Sequence, residues 1–211
     1  MNSPIADPQP ARLGIFGGTF DPIHNIHLFV AEAARLSEGL DCVLFVPTNN
    51  VHYRNKPEVS ARHRCEMIRR AIAGNAAFAL DETELQPDAT GYTADLLPLL
   101  KQRYPQARLT FITGADSLAS NAWVRFEEVL EALDGFVIAP RAGVGTEALT
   151  RIIAALPNGE LRSRIKMLNL PEMPESATLL RGLLSQGKPV RYLVPESVWQ
   201  YMCSQNLYGA A

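Results

Sequence analysis

Short β-rich apolar runs alternate with longer stretches whose apolar residues recur at helical spacing, and the alternation persists along most of the chain. Leu13–Phe16 predicts a strand that runs directly into Gly17-Gly18, and Leu28–Leu36, Ala-rich and free of breakers, predicts a helix. Cys42–Val46 predicts a second strand, ended by Pro47. Ser60 is the expected N-cap of a helix through Ile72, with Met67, Ile68, Ala71 and Ile72 as its apolar stripe and Gly74 as its stop. Phe78–Leu80 is a weaker third strand. Thr93 is the expected cap of a helix to Arg103, although Pro98 weighs against it, since an interior proline costs about 3 kcal/mol. Leu109–Thr113 and Phe136–Ala139 predict strands on either side of a helix from Val124 to Leu133, whose Phe126, Val129, Leu130 and Leu133 share a face. Helix Glu147–Leu156 and strand Ile165–Leu170 follow, then short helices over Leu179–Gln186 and Glu196–Gln205, with Pro195 at the favoured first helical position.

Strands that alternate with helices imply βαβ crossovers, hence an α/β fold with a doubly wound parallel sheet of roughly six strands. A TIM barrel needs eight such units in about 250 residues and is disfavoured. Open sheets of this kind bind ligands beyond the carboxyl ends of their strands. That rule directs attention to Phe16–His27, Thr113–Ser117 and the segment after Leu170. There is no internal repeat and no low-complexity tract.

Composition narrows the class. The 211 residues are 47% hydrophobic and 20% charged, with 20 Lys+Arg against 22 Asp+Glu for a net charge of -2. That length suits about one domain burying roughly 70% of its unfolded surface. No apolar run approaches the ~18–20 residues of a membrane helix, so no membrane partner is expected. The charge balance gives no footprint for a long nucleic acid, while leaving small phosphate sites open. Cys42, Cys65 and Cys203 are scattered and odd in number. They argue against a disulfide framework or a thiolate zinc cluster, and for a reducing cytoplasm. Residues 1–11 carry three prolines and no basic region before an apolar core, and are read as a flexible lead rather than a signal peptide. Residues 12–208 are assigned to a single domain with a C-terminal helical part over about 175–208.

The densest chemistry is Gly17-Gly18-Thr19-Phe20-Asp21-Pro22-Ile23-His24-Asn25-Ile26-His27, between the first strand and the first helix. Paired glycines permit a tight turn or a close backbone approach to a ligand, and the following helix start is an anion site. His24 and His27, three apart at that end, are placed to reach one phosphate. Neither GxxxxGK[ST] nor GxGxxG is present. Two plainer readings stay open: histidines that merely cap the helix, and a metal held by Asp21, His24 and His27 with a fourth ligand.

This stretch resembles the signature of the HxGH nucleotidyltransferase superfamily, and within it the bacterial nicotinate mononucleotide adenylyltransferases, where it reads GGTFDPIHxGH. Every fixed position matches but one, where Ile26 replaces the glycine. A β-branched side chain there should press on adenine or shift it. The resemblance covers most of residues 12–208 and implies a Rossmann-like nucleotidyltransferase fold. Gly17, Gly18, Thr19 and Phe20 are then expected at ATP. Thr113-Gly114-Ala115-Asp116-Ser117-Leu118 is similar to the family's GxDSL turn, whose counterparts of Gly114 and Asp116 contact the adenosine ribose; an N-cap by Asp116 is the plain alternative.

Trp123 resembles the residue that stacks on the nicotinate ring, with core packing as its alternative. Gly91-Tyr92-Thr93 resembles the family's xYT element, whose backbone N–H groups at a helix start take the nicotinate carboxylate. Glu175-Ser176-Ala177-Thr178-Leu179-Leu180-Arg181 is similar to ISxTxIR, implying that Ser176, Thr178 and Arg181 hold the β- and γ-phosphates. Gly187–Pro195 is also family-like. The loop 48–57 lacks the family's prolines; Arg54, then Lys56, is the expected cation for substrate phosphate. His63-Arg64 heads a helix and is read as structural.

The resemblance implies transfer of AMP from ATP to nicotinate mononucleotide, with release of pyrophosphate and Mg²⁺ riding on the phosphates. His24, His27 and Arg181 are the expected catalytic residues. Rival readings are an adenylyltransferase for nicotinamide mononucleotide, for both mononucleotides or for phosphopantetheine, and a nucleotide-binding sensor that has lost catalysis. A homo-oligomer is compatible with the sequence, which fixes no oligomeric state.

Overall fold

Strands β1 (Arg12–Gly18), β2 (Cys42–Pro47), β3 (Phe78–Leu80), β4 (Arg108–Gly114), β5 (Gly135–Ala139) and β6 (Ile165–Met167) form one parallel sheet in the order β3-β2-β1-β4-β5-β6. The computed structural model describes residues 5, 9–49, 56–120 and 123–210. Most of the expected N-terminal lead falls outside them. By its end the chain is already tied down, since Pro10 is buried and Ala11 N–H donates to Asp41 Oδ2 at 2.9 Å.

The strands are apolar on both faces because both faces are covered. Leu13 and Ile15 of β1, Leu44 of β2, Phe111 of β4 and Phe136 and Ile138 of β5 point to one side. There they meet α3 (Thr93–Arg103), α4 (Ala115–Ala119), α5 (Phe126–Glu131), α6 (Thr146–Ala154) and α7 (Gly159–Ser163). The intervening Phe16, Val43, Phe45, Ile112 and Val137 point to the other side, as the period of two requires. They pack on α1 (Asn25–Glu38), α2 (Ala61–Ile72), α8 (Ala177–Leu184) and α9 (Glu196–Ser204). β1 and β4 are neighbours at the centre, and the chain winds outward from them in opposite directions. Their carboxyl ends flank the crevice where such folds bind ligands.

Several boundaries differ from the sequence expectation. α3 forms despite Pro98, because the exposed proline loses one backbone bond while Leu96, Leu97 and Leu100 are buried at roughly 1.5–3 kcal/mol each. Its N-cap is Tyr92, in extended conformation, and Thr93 is the first helical residue. α2 is capped by Ser60 as expected, but it ends without a left-handed glycine; that device closes α1 instead, at Gly39 (φ 60°). α5 begins only at Phe126, since Arg125 is left-handed (φ 55°). β6 stops at Met167, and Pro195 is the N-cap of α9 rather than its first residue. The brief α4, α7 and 3₁₀ turn Thr83–Leu85 are too short to show a helical period. Among the described residues no helix is long and apolar enough to cross a membrane.

Candidate active site

A cavity of about 700 Å³ opens over the carboxyl ends of β1 and β4. It is lined by His24, His27, Arg181, Gly17, Gly18, Thr19, Phe20, Gly114, Asp116, Ser176, Thr178, Tyr92, Thr93, Trp123 and Lys56. Every described member of the expected site is therefore in one place; Arg54 lies outside the described residues.

Of the two roles open to the glycine pair, a tight turn or a close approach to a ligand, the structure shows no turn. Both glycines belong to β1, and neither is left-handed. A Cβ on Gly17 would stand 2.9 Å from Cζ of Phe111, and one on Gly18 would stand 3.1 Å from Cζ of Phe20. They are small because aromatic rings lie on them. The sharp turn falls at Phe20 (φ 50°), whose buried ring meets His27 edge-on at 5.0 Å and Phe16 at 5.5 Å.

The two imidazoles stack, with centroids 3.7 Å apart and planes at 29°. His24 is the N-cap of α1, and its backbone N–H donates to Nδ1 of His27 at 3.2 Å. A backbone amide only donates, so that Nδ1 is bare and the ring carries its proton on Nε2. His24 is 2% exposed, and burial, followed by the nearby Arg141 charge, pushes its pKa down to about 3. It is a neutral ring at physiological pH. Its Nδ1 is buried without a hydrogen-bond partner.

The metal reading of Asp21, His24 and His27 loses its carboxylate. Asp21 is buried, its Oδ1 accepts the Tyr208 hydroxyl at 2.6 Å, and its Oδ2 accepts the Glu58 N–H at 2.8 Å. Among the described residues no three His, Cys, Asp or Glu side chains are grouped to hold an ion.

Arg181, from α8, is 23% exposed at its side chain and is held from below: Nε–H donates to Glu58 Oε1 at 2.5 Å and Nη1–H to the Asp21 carbonyl at 2.7 Å. Ser176 caps α8 by accepting the Leu179 N–H at 3.0 Å, which leaves its own O–H free to donate. On the far wall, Gly114 is the N-cap of α4 and Asp116 lies in the first turn, so Asp116 is not the cap. Its Oδ1 folds back to where a Gly114 Cβ would be, 2.5 Å away, which explains the glycine. Trp123 lines the cavity and also packs edge-on against Phe111 and Phe136, at 5.5 and 5.2 Å.

Two charged residues that line the cavity carry no motif. Arg141 lines the cavity just beyond β5 and donates to the Glu175 carbonyl at 2.6 Å; the strand-end rule applied to β5 finds it. Glu84 lines the wall, 7% exposed, and burial raises its pKa to about 7. Arg64, 0% exposed, donates to the Thr19 carbonyl at 2.5 Å and the Thr48 carbonyl at 3.0 Å, tying the signature loop to the end of β2. It is structural, as read from the sequence.

The Cytidylyltransferase-like family model matches residues 15–181. A probable nicotinate-nucleotide adenylyltransferase of Desulfitobacterium hafniense strain Y51 is 39% identical over 202 residues, spanning 94% of this chain and 96% of that protein. The nicotinate-nucleotide adenylyltransferase of Bacillus subtilis strain 168 is 35% identical over 200 residues, 93% and 98% of the respective chains. The chain belongs to the nicotinate-nucleotide adenylyltransferase family. The fold agrees: Plasmodium falciparum nicotinic acid mononucleotide adenylyltransferase, solved with APC, superposes with a TM-score of 0.72 at 20% identity over 95% of this chain and 98% of that one. The same enzyme solved with NaAD gives 0.70. Within this family frame, Ile26, in the first turn of α1, is half-buried, lines the cavity and packs against the core.

Proposed function

We propose that this chain transfers AMP from ATP to nicotinate mononucleotide, yielding nicotinate adenine dinucleotide and pyrophosphate in NAD biosynthesis. The supporting observation is one cavity that gathers a histidine of fixed tautomer, two arginines and the start of α3 at the sheet's switch point.

The acceptor phosphate has a second pKa of about 6, so it arrives ionised and needs no general base. In-line attack on the α-phosphate then depends on alignment and on donors aimed at the growing charge. In this reading His27 gives its Nε2–H to the α-phosphate, and neutral His24 supports it through the ring stack and its own Nε2. Arg181, with Ser176 and Thr178, takes the β- and γ-phosphates, and Arg141 adds charge at the same end of the cavity. Gly17, Gly18, Thr19 and Phe20 shape the floor, and Gly114 lets Asp116 accept from the adenosine ribose hydroxyls.

Trp123 stacks on the pyridine ring, and orphan N–H groups at the α3 start, beside Tyr92 and Thr93, take its carboxylate. That contact separates the acid from its amide. Lys56 meets the substrate phosphate, a role the sequence also opens to Arg54. ATP would enter as its Mg²⁺ complex, the cation supplying neutralisation of the departing charge without a cluster of side-chain ligands from the described residues of this chain.

Pyrophosphate release is to be followed with MgATP and, separately, the acid mononucleotide, its amide, phosphopantetheine or no acceptor. Turnover confined to the acid supports the proposal. Turnover with another acceptor alone, or with none, overturns it.

A further inference from the structure

A guanidinium carries five N–H donors in a rigid planar fork. In Arg181 one goes to Glu58 Oε1 and one to the Asp21 carbonyl, which leaves three for the cavity the residue lines. The same two partners are bound to each other, since Glu58 N–H donates to Asp21 Oδ2 at 2.8 Å. Asp21, Glu58 and Arg181 therefore form a closed circuit of hydrogen bonds. One group ties it to the rest of the chain from outside: Tyr208, in the C-terminal 3₁₀ turn Leu207–Gly209, donates its hydroxyl to Asp21 Oδ1 at 2.6 Å. Burial drives that phenol well above its ordinary pKa, so it remains a donor.

We propose that Tyr208 is a positioning residue for the polyphosphate: by fixing Asp21 it fixes the carbonyl that holds Arg181, and hence the direction of the three remaining guanidinium donors. The inference rests on the reading of Arg181 as the polyphosphate ligand. Without the hydroxyl, Asp21 keeps a buried, unsatisfied oxygen that draws other donors, Arg181 among them, away from the cavity. Oδ2, the oxygen that keeps the Glu58 N–H, lies 3.9 Å from Nη1 of Arg181, so a carboxylate no longer pinned at Oδ1 is free to rotate toward the guanidinium.

The test uses the full-length chain in the reverse direction, with pyrophosphate and the dinucleotide. Tyr208→Phe should raise KM for pyrophosphate roughly tenfold, as expected for a misdirected charge-assisted donor set. Affinity for AMP and KM for the mononucleotide in the forward direction should stay within about twofold, because a merely structural loss would not single out pyrophosphate. In the Arg181→Ala background, adding Tyr208→Phe should change nothing further. Equal losses for every ligand, or additive losses in the double variant, would overturn the inference while leaving Arg181 in its role. An Arg181→Ala variant with normal pyrophosphate kinetics would overturn both. Should Tyr208→Phe not fold, a crystal of the unaltered protein with pyrophosphate decides: Arg181 keeping its bond to the Asp21 carbonyl while contacting phosphate supports the proposal, and Arg181 swinging off that carbonyl overturns it.

Discussion

His24 sits buried and neutral at the cavity, and that state has a measurable cost. An unfolded histidine titrates near 6.5, whereas burial takes His24 down to about 3 in the native protein. Above pH 6.5 both states are neutral, and the contribution to stability is intact. As pH falls toward 3, only the unfolded chain gains the proton, and stability is lost at about 1.36 kcal/mol per pH unit. Over the three and a half units between those values the loss approaches about 5 kcal/mol, and about 2.7 kcal/mol of it falls between pH ~6.5 and ~4.5. His24→Asn keeps a neutral polar group but cannot titrate. Urea unfolding of both proteins across that interval isolates the difference, since other groups titrate alike in each. The variant should start lower by about 1–3 kcal/mol from lost packing and then fall less steeply than the parent. Parallel curves, or a His24 ring proton whose NMR shift titrates near pH 6.5, would refute the reasoning.

His27→Ala should lower turnover by about 10²–10³, a loss of ~2.7–4 kcal/mol for one preorganised donor, while His27→Gln, which restores an N–H, should recover part of it; steady-state pyrophosphate release reads both. Trp123→Ala should weaken the mononucleotide more than ATP in titration calorimetry, and equal losses would count against stacking. Glu84 has the opposite linkage to His24: its raised pKa favours the folded state below about 4.5, and that advantage is lost as pH rises through about 7. Glu84→Gln should therefore gain stability relative to the parent by up to about 3 kcal/mol between pH ~4.5 and ~8, as read from denaturant midpoints.

Much of the fold is legible because the two periodicities switch cleanly: Leu13–Phe16 and Leu109–Thr113 are too short and β-rich for helices, and α1 is too long and breaker-free for a strand. The signature and the Gly114–Asp116 turn are also readable, because they sit at the carboxyl ends of β1 and β4. What sequence could not supply is how distant segments use one another. Gly17 is small because of Phe111, more than ninety residues away, and not because the chain turns there. Tyr92, not Thr93, caps α3 because Thr90 accepts the Tyr92 N–H and donates to Asp95, a local bond set with no simple spacing. Glu84 enters the site through topology alone, and the neutrality of His24 follows from burial that no local pattern records. Pro98 shows the converse: a sound local objection to α3 gives way to three buried leucines.

In the proposed mechanism the stacked histidine pair and Arg181 grip a triphosphate across the switch point. A crystal structure of the protein with a non-hydrolysable ATP analogue tests it most directly. The account predicts an α-phosphate oxygen at about 2.7–3.2 Å from His27 Nε2 and the terminal phosphates on the outward N–H groups of Arg181. A triphosphate bound elsewhere, with the imidazoles turned into the core and out of its reach, would contradict it.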